Sequence, residues 1–340
     1  MKQTIMLLVV LLLASCGQKT EKNDSASVRM TNDVLLKTTP VKNQGHSDLC
    51  WDYAMLATIE TEHLMQGDSV NLSPDYVARR LLEEEGDRLY LTHKGNISLR
   101  GVAPMLIRLI ETYGLTHYDA YHAGSNTDYS TICRKILPMA QGSRSLKDFR
   151  ESLTSLLDNE INAIVPRVYM FGAVYTPLEF AHSVCRDDEY MAYTSFTHHP
   201  FDETFPLEIP DNRYNDTFMN VPIDTLMGII INNVRHCHPV CWEGDISEKG
   251  FSFERGIAVL EKPLSGNVQQ ERQQEFENHK TTDDHCMEIV GIAHDGSGQK
   301  YFIMKNSWGT GNPYHGFMYV SFDYVKLKTI GIVASPTHSL

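Results

Sequence analysis

Apolar residues recur every three to four positions in five stretches of the earlier part of the chain, and this spacing predicts five helices. In the first stretch, Trp51, Met55 and Ile59 lie one turn apart on a single face. Ser47 or Asp48 is positioned to cap the start of this helix. The pattern therefore predicts a helix with one buried face from about Asp48 onwards.

Most of the later helical stretches have an end signal. In the second, Ser73 is a cap and Pro74 occupies the first helical position, where proline is favoured. The third ends at Gly114. In the fourth, Ser145 and Asp148 have the spacing of a capping box. The fifth is the stretch PIDTLMGIIINNVRHC.

The later part of the chain changes to short segments rich in valine, isoleucine and aromatic residues. Glycine, proline and aspartate bound these segments, so they are predicted to be strands: PVCWEGD, RGIAVLE, HCMEIVGIAHD, KYFIMKNSW and GFMYVSF. Helices followed by strands indicate an α+β protein. The polar stretch from Gln269 to Asp284 is predicted to be a surface loop or an exposed helix.

The first residues, MKQTIMLLVVLLLASCG, have the pattern of a targeting segment. Lys2 precedes an apolar run from Ile5 to Leu13 that is too short to span a bilayer comfortably. The letters LASC then resemble the lipobox of bacterial lipoproteins, in which the cysteine, here Cys16, is lipidated and becomes the mature N-terminus. The alternative is an ordinary signal peptide that is cleaved nearby.

These observations predict three segments. Residues 1–15 are a lipoprotein signal peptide, residues 16–35 are a polar, flexible tether, and residues 36–335 are one folded domain. The protein is then anchored by lipid to a membrane of the bacterial cell envelope. The chain of 340 residues has a formal net charge of −13, which repels phosphate backbones, so nucleic acid is a poor candidate partner.

Seven cysteines are present. Apart from Cys16 and Cys50, the remainder are an odd number at irregular spacing, which does not indicate a disulfide framework. The run HCH at residues 236–238, with Cys241 close by, suggests a metal site. However, it contains no ligand pair of standard spacing. We therefore predict neither a metal nor a cofactor.

Four residues have the chemistry of a nucleophilic site. Cys50 lies in the first turn of the first predicted helix, where the helix dipole lowers the pKa of a thiol. His285 opens a predicted strand and Asn306 ends the next, so two adjacent antiparallel strands bring a base and its orienting amide together. Gln44 lies on the loop before Cys50, and its amide can donate to an oxyanion.

Each of these residues taken singly is more often structural than catalytic, since a buried cysteine is usually a small apolar side chain. Together, in this order and context, they favour catalysis. Cys286 follows His285 directly, so strand alternation predicts that its side chain points to the opposite face and is inert.

The motifs Q-G-x-x-x-x-C-W and N-S-W-G, with a late histidine between them, resemble the papain superfamily of cysteine peptidases. TPLEF, PIDTLM, PVCWEGD and KNSWG further resemble the bleomycin hydrolase and aminopeptidase C branch. The similarity extends over roughly residues 36–330. It implies an α+β fold with a helical left lobe and an antiparallel, β-rich right lobe. The active site then lies in the cleft between the lobes.

The resemblance also implies residue roles. Cys50 is the nucleophile, His285 is the base and acid, and Asn306 orients His285. Gln44 forms the oxyanion hole together with the backbone N–H of Cys50. Trp308 shields the histidine and asparagine from water.

The sequence departs from the family pattern at two places that concern substrate binding. Papain relatives usually have a small residue before the cysteine, whereas Asp48 and a leucine precede it here. Arg100 and Gly101 replace the paired glycines that bind substrate backbone. Arg100 either reaches a substrate carboxylate or is an ordinary solvated surface arginine, and the second interpretation is favoured.

The preferred hypothesis is an exported lipoprotein cysteine peptidase that acts on peptides or proteins through an acyl-enzyme thioester. One alternative is a catalytically silent lipoprotein that binds peptides or a partner protein. Another is an amidase or acyltransferase with the same triad. The sequence ends at IVASPTHSL, without the C-terminal arm of the aminopeptidase relatives, which favours the expectation of an endopeptidase.

Overall fold

The computed structural model describes residues 29–124, 127–170, 172–186 and 188–336. The predicted signal peptide, the lipidation residue Cys16 and most of the predicted tether lie outside these ranges. Within them, no helix is both long and apolar enough to cross a membrane.

Five helices form the first part of the described chain and confirm four of the five predicted helices. The bounds are α1 (Cys50–Gln66), α2 (Pro74–Thr92), α3 (Ala103–Tyr113), α4 (Tyr129–Gly142) and α5 (Leu146–Glu160). The helix α4 was not predicted, because Pro138 lies within it and a proline in a helix interior costs a backbone hydrogen bond.

The predicted ends of α2 and α3 are confirmed, and at α5 the Ser145 hydroxyl accepts the backbone N–H of Asp148, which is one half of the predicted capping box. Ser73 Oγ accepts the backbone N–H of Tyr76 at the start of α2, and Gly114 ends α3 at a φ of 81°. At α1, however, Leu49 occupies the cap position and no side chain caps the helix. Ser47 cannot do so because its hydroxyl donates to the carbonyl of Gln44 within the preceding loop.

The remaining helices are interspersed with strands. Their bounds are α6 (Pro177–Val184), α7 (Ile223–Arg235), α8 (Val268–Glu277) and α9 (Phe322–Lys328). The fifth predicted helix is α7. The helix α8 falls in the polar stretch that was expected to be exposed, but Arg272 within it is buried. Its guanidinium donates to the carbonyls of Lys326, Leu327 and Thr329, so α8 packs onto the folded domain.

Among the described residues, eleven strands form one mixed sheet. They are β1 (Thr31–Leu35), β4 (Met191–Thr194), β5 (Thr204–Pro206), β6 (Thr217–Asn220), β7 (Val240–Gly244), β8 (Phe251–Ser252), β9 (Ile257–Ala258), β10 (His285–His294), β11 (Lys300–Lys305), β12 (Phe317–Ser321) and β13 (Thr329–Ala334). A separate hairpin joins β2 (Val168–Met170) to β3 (Ala173–Tyr175). All five predicted strands are present, although RGIAVLE contributes only the two residues of β9.

The centre of the sheet is antiparallel, with the order β7, β10, β11, β12. In this register His285 lies opposite Gly244, and Cys286 lies opposite Glu243. The strand β1 also pairs with β10, so the last five residues of the segment predicted as a tether belong to the sheet.

The core has two apolar clusters, one among the helices and one within the sheet and the helices packed on it. The helix α1 belongs to the first cluster and packs against β10. It is anchored by Trp51, which is fully buried and donates from its indole Nε1 to the carbonyl of Leu99 at 2.8 Å. The α+β prediction is confirmed, and the start of α1 is fixed over the start of β10.

Candidate active site

Cys50 is the first residue of α1, and its thiol meets the first two residues of β10. The sulfur is hydrogen-bonded by the thiol of Cys286 and by the imidazole of His285. These two contacts, with the charge of the imidazole, hold the pKa of Cys50 well below its usual value despite burial, the Cys286 contact having the largest effect. The site therefore favours a thiolate at Cys50.

The orientation of His285 is set by Asn306. The Nε2 atom of His285 lies 2.8 Å from Asn306 Oδ1, and an amide oxygen only accepts, so Nε2 carries the proton. The other ring nitrogen, Nδ1, is left to face Cys50. Asn306 is itself fixed, because its Oδ1 also accepts the backbone N–H of Ser307 and its Nδ2 donates to the sulfur of Met318.

Trp308 covers the imidazole, as predicted. The two rings are 4.6 Å apart between centroids, and His285 is buried. Phe251 and Phe253 also pack against the indole of Trp308, in edge-to-face geometry. This aromatic layer keeps water from the hydrogen bond between His285 and Asn306 and so strengthens it.

Gln44 lies on the loop before α1 and is held by Ser307. The Ser307 hydroxyl donates to Gln44 Oε1 at 2.6 Å, and the backbone N–H of Gln44 donates to the Ser307 carbonyl. The side-chain amide nitrogen donates to the carbonyl of Ser47, which uses one of its two hydrogens. The amide orientation is therefore fixed, with the second hydrogen available for an oxyanion.

The expectation that the Cys286 side chain points away from the nucleophile was wrong, whereas its raised pKa agrees with the expectation of an unreactive thiol. Its thiol hydrogen-bonds the sulfur of Cys50, although it follows His285 in the strand. Alternation points the side chains of His285 and Cys286 towards opposite faces of the sheet. However, α1 begins beside the first residues of β10, so the sulfur of Cys50 reaches both side chains. Cys286 is buried, and burial raises the pKa of its thiol.

Three carboxyl groups that the sequence analysis did not single out interact electrostatically with Cys50: Asp211, Glu243 and Asp283. Burial raises the pKa of Glu243 to about 8. Its carboxyl group is hydrogen-bonded to that of Asp283, whose pKa is also raised by burial, and such a pair requires a shared proton. The only sequence signals for these residues were the motif PVCWEGD and the aspartates before His285.

Arg100 is neither a free substrate anchor nor a simply solvated side chain. Its Nε donates to both carboxylate oxygens of Asp211, at 2.9 and 2.8 Å, and it also interacts electrostatically with Asp48 and Asp283. Gly101 is buried, and a Cβ built there would lie 2.0 Å from Met105 Cε. Gly101 thus permits close packing beside Trp51. Arg100 is thus neutralised by Asp211 and leaves the proton-sharing pair of Glu243 and Asp283 without a cation of its own.

The described residues contain one group with the composition of a metal site, formed by His198, His199 and Glu208. Gln273 argues against metal binding there. Its Nε2 donates to His198 Nδ1 while its Oε1 accepts the N–H of Thr197, so the imidazole Nε2 carries a proton and donates to Glu208. A protonated Nε2 cannot ligate a metal.

In the described part of the chain, the side chains of residues 236–238 and Cys241 do not converge on one metal-binding position. His238 pairs with Glu62 at 2.9 Å, His236 contacts the carbonyl of Asn232, and Cys241 is buried in β7.

The site thus combines a thiolate at a helix start, an oriented imidazole and the fixed amide of Gln44 on the loop that precedes the helix. Such a set can attack a carbonyl carbon, stabilise the oxyanion and protonate the leaving group. The structure brings together Cys50, His285, Asn306 and Trp308, and it places Gln44 on the adjoining loop.

The model of the Peptidase C1-like family matches residues 167–336. Over 178 residues, or 48% of the chain, the sequence is 23% identical to aminopeptidase W of Lactobacillus delbrueckii subsp. lactis. The match spans 39% of that relative's length. The fold is similar to that of PepW from Lactobacillus rhamnosis HN001, with a TM-score of 0.70 and 17% identity, over 91% of this chain and 82% of that chain.

Proposed function

Because the chain belongs to the Peptidase C1-like family, within the papain-like cysteine peptidases and their aminopeptidase C and bleomycin hydrolase branch, we propose that it hydrolyses peptide bonds through a triad of Cys50, His285 and Asn306. The observation that best supports this function is the continuous series of hydrogen bonds from the Cys50 sulfur through the imidazole to Asn306 Oδ1.

In this mechanism the Cys50 thiolate attacks the carbonyl carbon of the scissile bond. The oxyanion is stabilised by the backbone N–H of Cys50 and the free amide hydrogen of Gln44. His285 then gives its Nδ1 proton to the leaving amine, and a thioester remains on Cys50. Water, deprotonated by His285, hydrolyses the thioester and regenerates the thiolate. Asn306 keeps the imidazole in the required tautomer throughout.

Labelling of the intact protein with an epoxide inhibitor of papain-like peptidases tests the nucleophile. We expect Cys50 to be alkylated and hydrolysis to cease. Cys50→Ala should take up no label, whereas Cys237→Ala, which removes an exposed cysteine, should be labelled as the wild type is. Label on another cysteine with activity retained, or hydrolysis by Cys50→Ala, would contradict the assignment.

The same experiment separates the alternatives. A catalytically silent protein that binds peptides would bind them without turnover and without alkylation of Cys50. An amidase or acyltransferase would be labelled at Cys50 but would act on non-peptide acyl donors in preference to peptides. The described site retains each member of the triad, which favours an enzyme over a silent protein.

For the mode of cleavage, we infer a preference for substrates with a free amino terminus. The expectation of an endopeptidase has no support from the relatives, of which one is named an aminopeptidase. In addition, Asp211, Glu243 and Asp283 lie near the nucleophile, and Arg100 is already paired with Asp211. Glu243 and Asp283 share a proton and keep one negative charge that Arg100 does not neutralise, and this charge suits an ammonium group better than a substrate carboxylate.

We further propose that the protein is an exported lipoprotein held in the bacterial cell envelope through Cys16. The support is the sequence LASC after a basic residue and an apolar run. Cys16→Ser should abolish incorporation of labelled fatty acid and leave the protein in the soluble exported fraction or uncleaved. Unchanged partition into membranes with normal cleavage after residue 15 would contradict this proposal.

A further inference from the structure

A second thiol lies against the nucleophile. The thiol of Cys286 hydrogen-bonds the Cys50 sulfur, as described above. A small cavity of about 10 Å³ provides an independent indication of its direction, because Cys286 lines that cavity together with Tyr53 and Ala54 of α1. Ala54 follows Cys50 by one helical turn. The Cys286 side chain therefore faces the same side of α1 as the nucleophile.

We propose that Cys286 is a resolving cysteine, which forms a reversible disulfide with Cys50 after a hydroperoxide has oxidised Cys50. The inference rests on the proposed function only in taking Cys50 as the reactive nucleophile. A cysteine peptidase with this pair would be inactivated reversibly by oxidants.

Exposure and protonation determine the order of events. Cys50 is partly exposed, whereas the Cys286 side chain is buried, so a dissolved oxidant meets Cys50 first. The hydrogen bonds to Cys50 favour its thiolate, which is the form that peroxides oxidise. Burial keeps Cys286 protonated and unreactive towards the oxidant itself. Cys286 therefore remains a thiol until it reacts with the sulfenic acid of Cys50.

The disulfide between Cys50 and Cys286 forms in two steps. The Cys50 thiolate attacks one oxygen of the hydroperoxide, the O–O bond breaks, and Cys50 sulfenic acid and an alkoxide or hydroxide result. The Cys286 sulfur then attacks the sulfenic sulfur. Its proton leaves with the sulfenic hydroxyl as water, and a disulfide forms. Cys50 is oxidised and the peroxide is reduced. A dithiol reductant then reduces the disulfide by thiol–disulfide exchange, which returns Cys50 and Cys286 as thiols and oxidises the reductant to its own disulfide.

The pairing changes the outcome of oxidation. A sulfenic acid without a neighbouring thiol is oxidised further to sulfinic and sulfonic acids, which reducing agents do not restore. Cys286 is in contact with Cys50 in the folded protein, so the disulfide forms without diffusion of a second molecule. Oxidised Cys50 is thus held in a disulfide, from which a reductant restores the thiol.

The test treats the purified full chain with hydrogen peroxide, alkylates the remaining thiols and maps peptides without reduction. In the wild type we expect a peptide that joins Cys50 to Cys286 and disappears after treatment with dithiothreitol. Hydrolysis should be lost with oxidation and recover on reduction to nearly its starting rate.

Cys286→Ser should be inactivated irreversibly, with Cys50 found as sulfinic or sulfonic acid. Each variant is compared with its own rate before oxidation, and Cys286→Ser should regain less than about a tenth of it. Cys286→Ala is a second variant for the case in which serine disturbs the core. The matched control is Cys237→Ser, at an exposed cysteine, which should recover as the wild type does.

Two results would overturn the inference: sulfinic or sulfonic Cys50 in the wild type with no linked peptide, or equal recovery in wild type and Cys286 variants. Failure of the proposed function gives a different result. In that case the unoxidised wild type does not hydrolyse peptides, yet the peptide linking Cys50 and Cys286 still forms under peroxide.

Discussion

The imidazole Nε2 of His285 and the amide Oδ1 of Asn306 lie 2.8 Å apart, although 20 residues separate them in the chain, residues 286–305. The strand β10 begins at the histidine, and the asparagine comes directly after β11, which pairs antiparallel with β10. The sheet register therefore creates the hydrogen bond that selects the histidine tautomer.

This relationship predicts unequal effects of two substitutions. His285→Ala removes proton transfer and should lower kcat/KM by at least about a thousandfold. Asn306→Ala leaves the imidazole in place without its orienting group and should cost about tenfold to a hundredfold. Steady-state rates on one fluorogenic peptide measure both, with thermal unfolding as a check that each variant folds. An equal or larger loss at Asn306 would refute this division of roles.

Much of this site could be predicted from the sequence because its parts are local. His285 and Asn306 lie on consecutive strands with a short turn, so antiparallel pairing brings them together. The motif residues around Cys50 and Trp308 identified the family, and the family model and the structural relative confirm that resemblance. The α+β architecture followed from periodicity and was likewise correct.

The missed parts depend on contacts between distant elements. The contact from Cys286 to Cys50 depends on where α1 lies over β10, which strand alternation does not encode. Asp211 comes from an irregular segment without a motif. Strands of only a few residues, such as β5, are too short to show alternation. Arg272 is a charged residue in a polar stretch, and only its carbonyl partners account for its burial.

Arg272 should be important for stability. Its guanidinium donates to the carbonyls of Lys326, Leu327 and Thr329, and Arg272→Ala leaves these acceptors without that donor. We expect the free energy of unfolding to fall by about 3 kcal/mol. Urea unfolding monitored by fluorescence measures the change. Gln274→Ala, at an exposed position of the same helix, is the control and should change stability by less than about 0.5 kcal/mol.

Glu243 should make stability depend on pH. Burial raises its pKa to about 8, against 4.5 for an ordinary glutamate, and it is paired with Asp283. Between these values the folded protein binds more protons at Glu243 than the unfolded chain does. Its contribution to the free energy of unfolding therefore falls as pH rises through this window, by at most about 1.4 kcal/mol per pH unit.

Glu243→Gln should flatten this dependence, because the amide does not titrate. Urea unfolding at several values from about pH 5 to about pH 8 measures the slope. Glu151→Gln, at an exposed position of α5, is the matched control and should retain the wild-type slope. If Glu243→Gln loses stability with rising pH as steeply as the wild type does, the buried pair is not the source of the dependence.

The carboxyl groups beside Cys50 lead to a prediction about substrates. Two peptides that differ only in acetylation of the amino terminus should be cleaved at different rates, and the free amine should have the higher kcat/KM. The reason is electrostatic, because Arg100 and Asp211 neutralise each other while the proton-sharing pair of Glu243 and Asp283 keeps one negative charge near Cys50.

Substitution at Asp283 distinguishes this electrostatic effect from a steric effect of the acetyl group. Asp283 and Glu243 share one proton, so the pair keeps one negative charge that can attract an incoming ammonium group. Asp283→Asn should lower kcat/KM for the free-amine peptide by about tenfold and leave the acetylated peptide much less affected, because only the former loses a charge interaction. Asp87→Asn, at an exposed pair with Arg150 on the helical surface, is the control and should leave the ratio of the two rates unchanged. Faster cleavage of the acetylated peptide at internal bonds would instead indicate an endopeptidase.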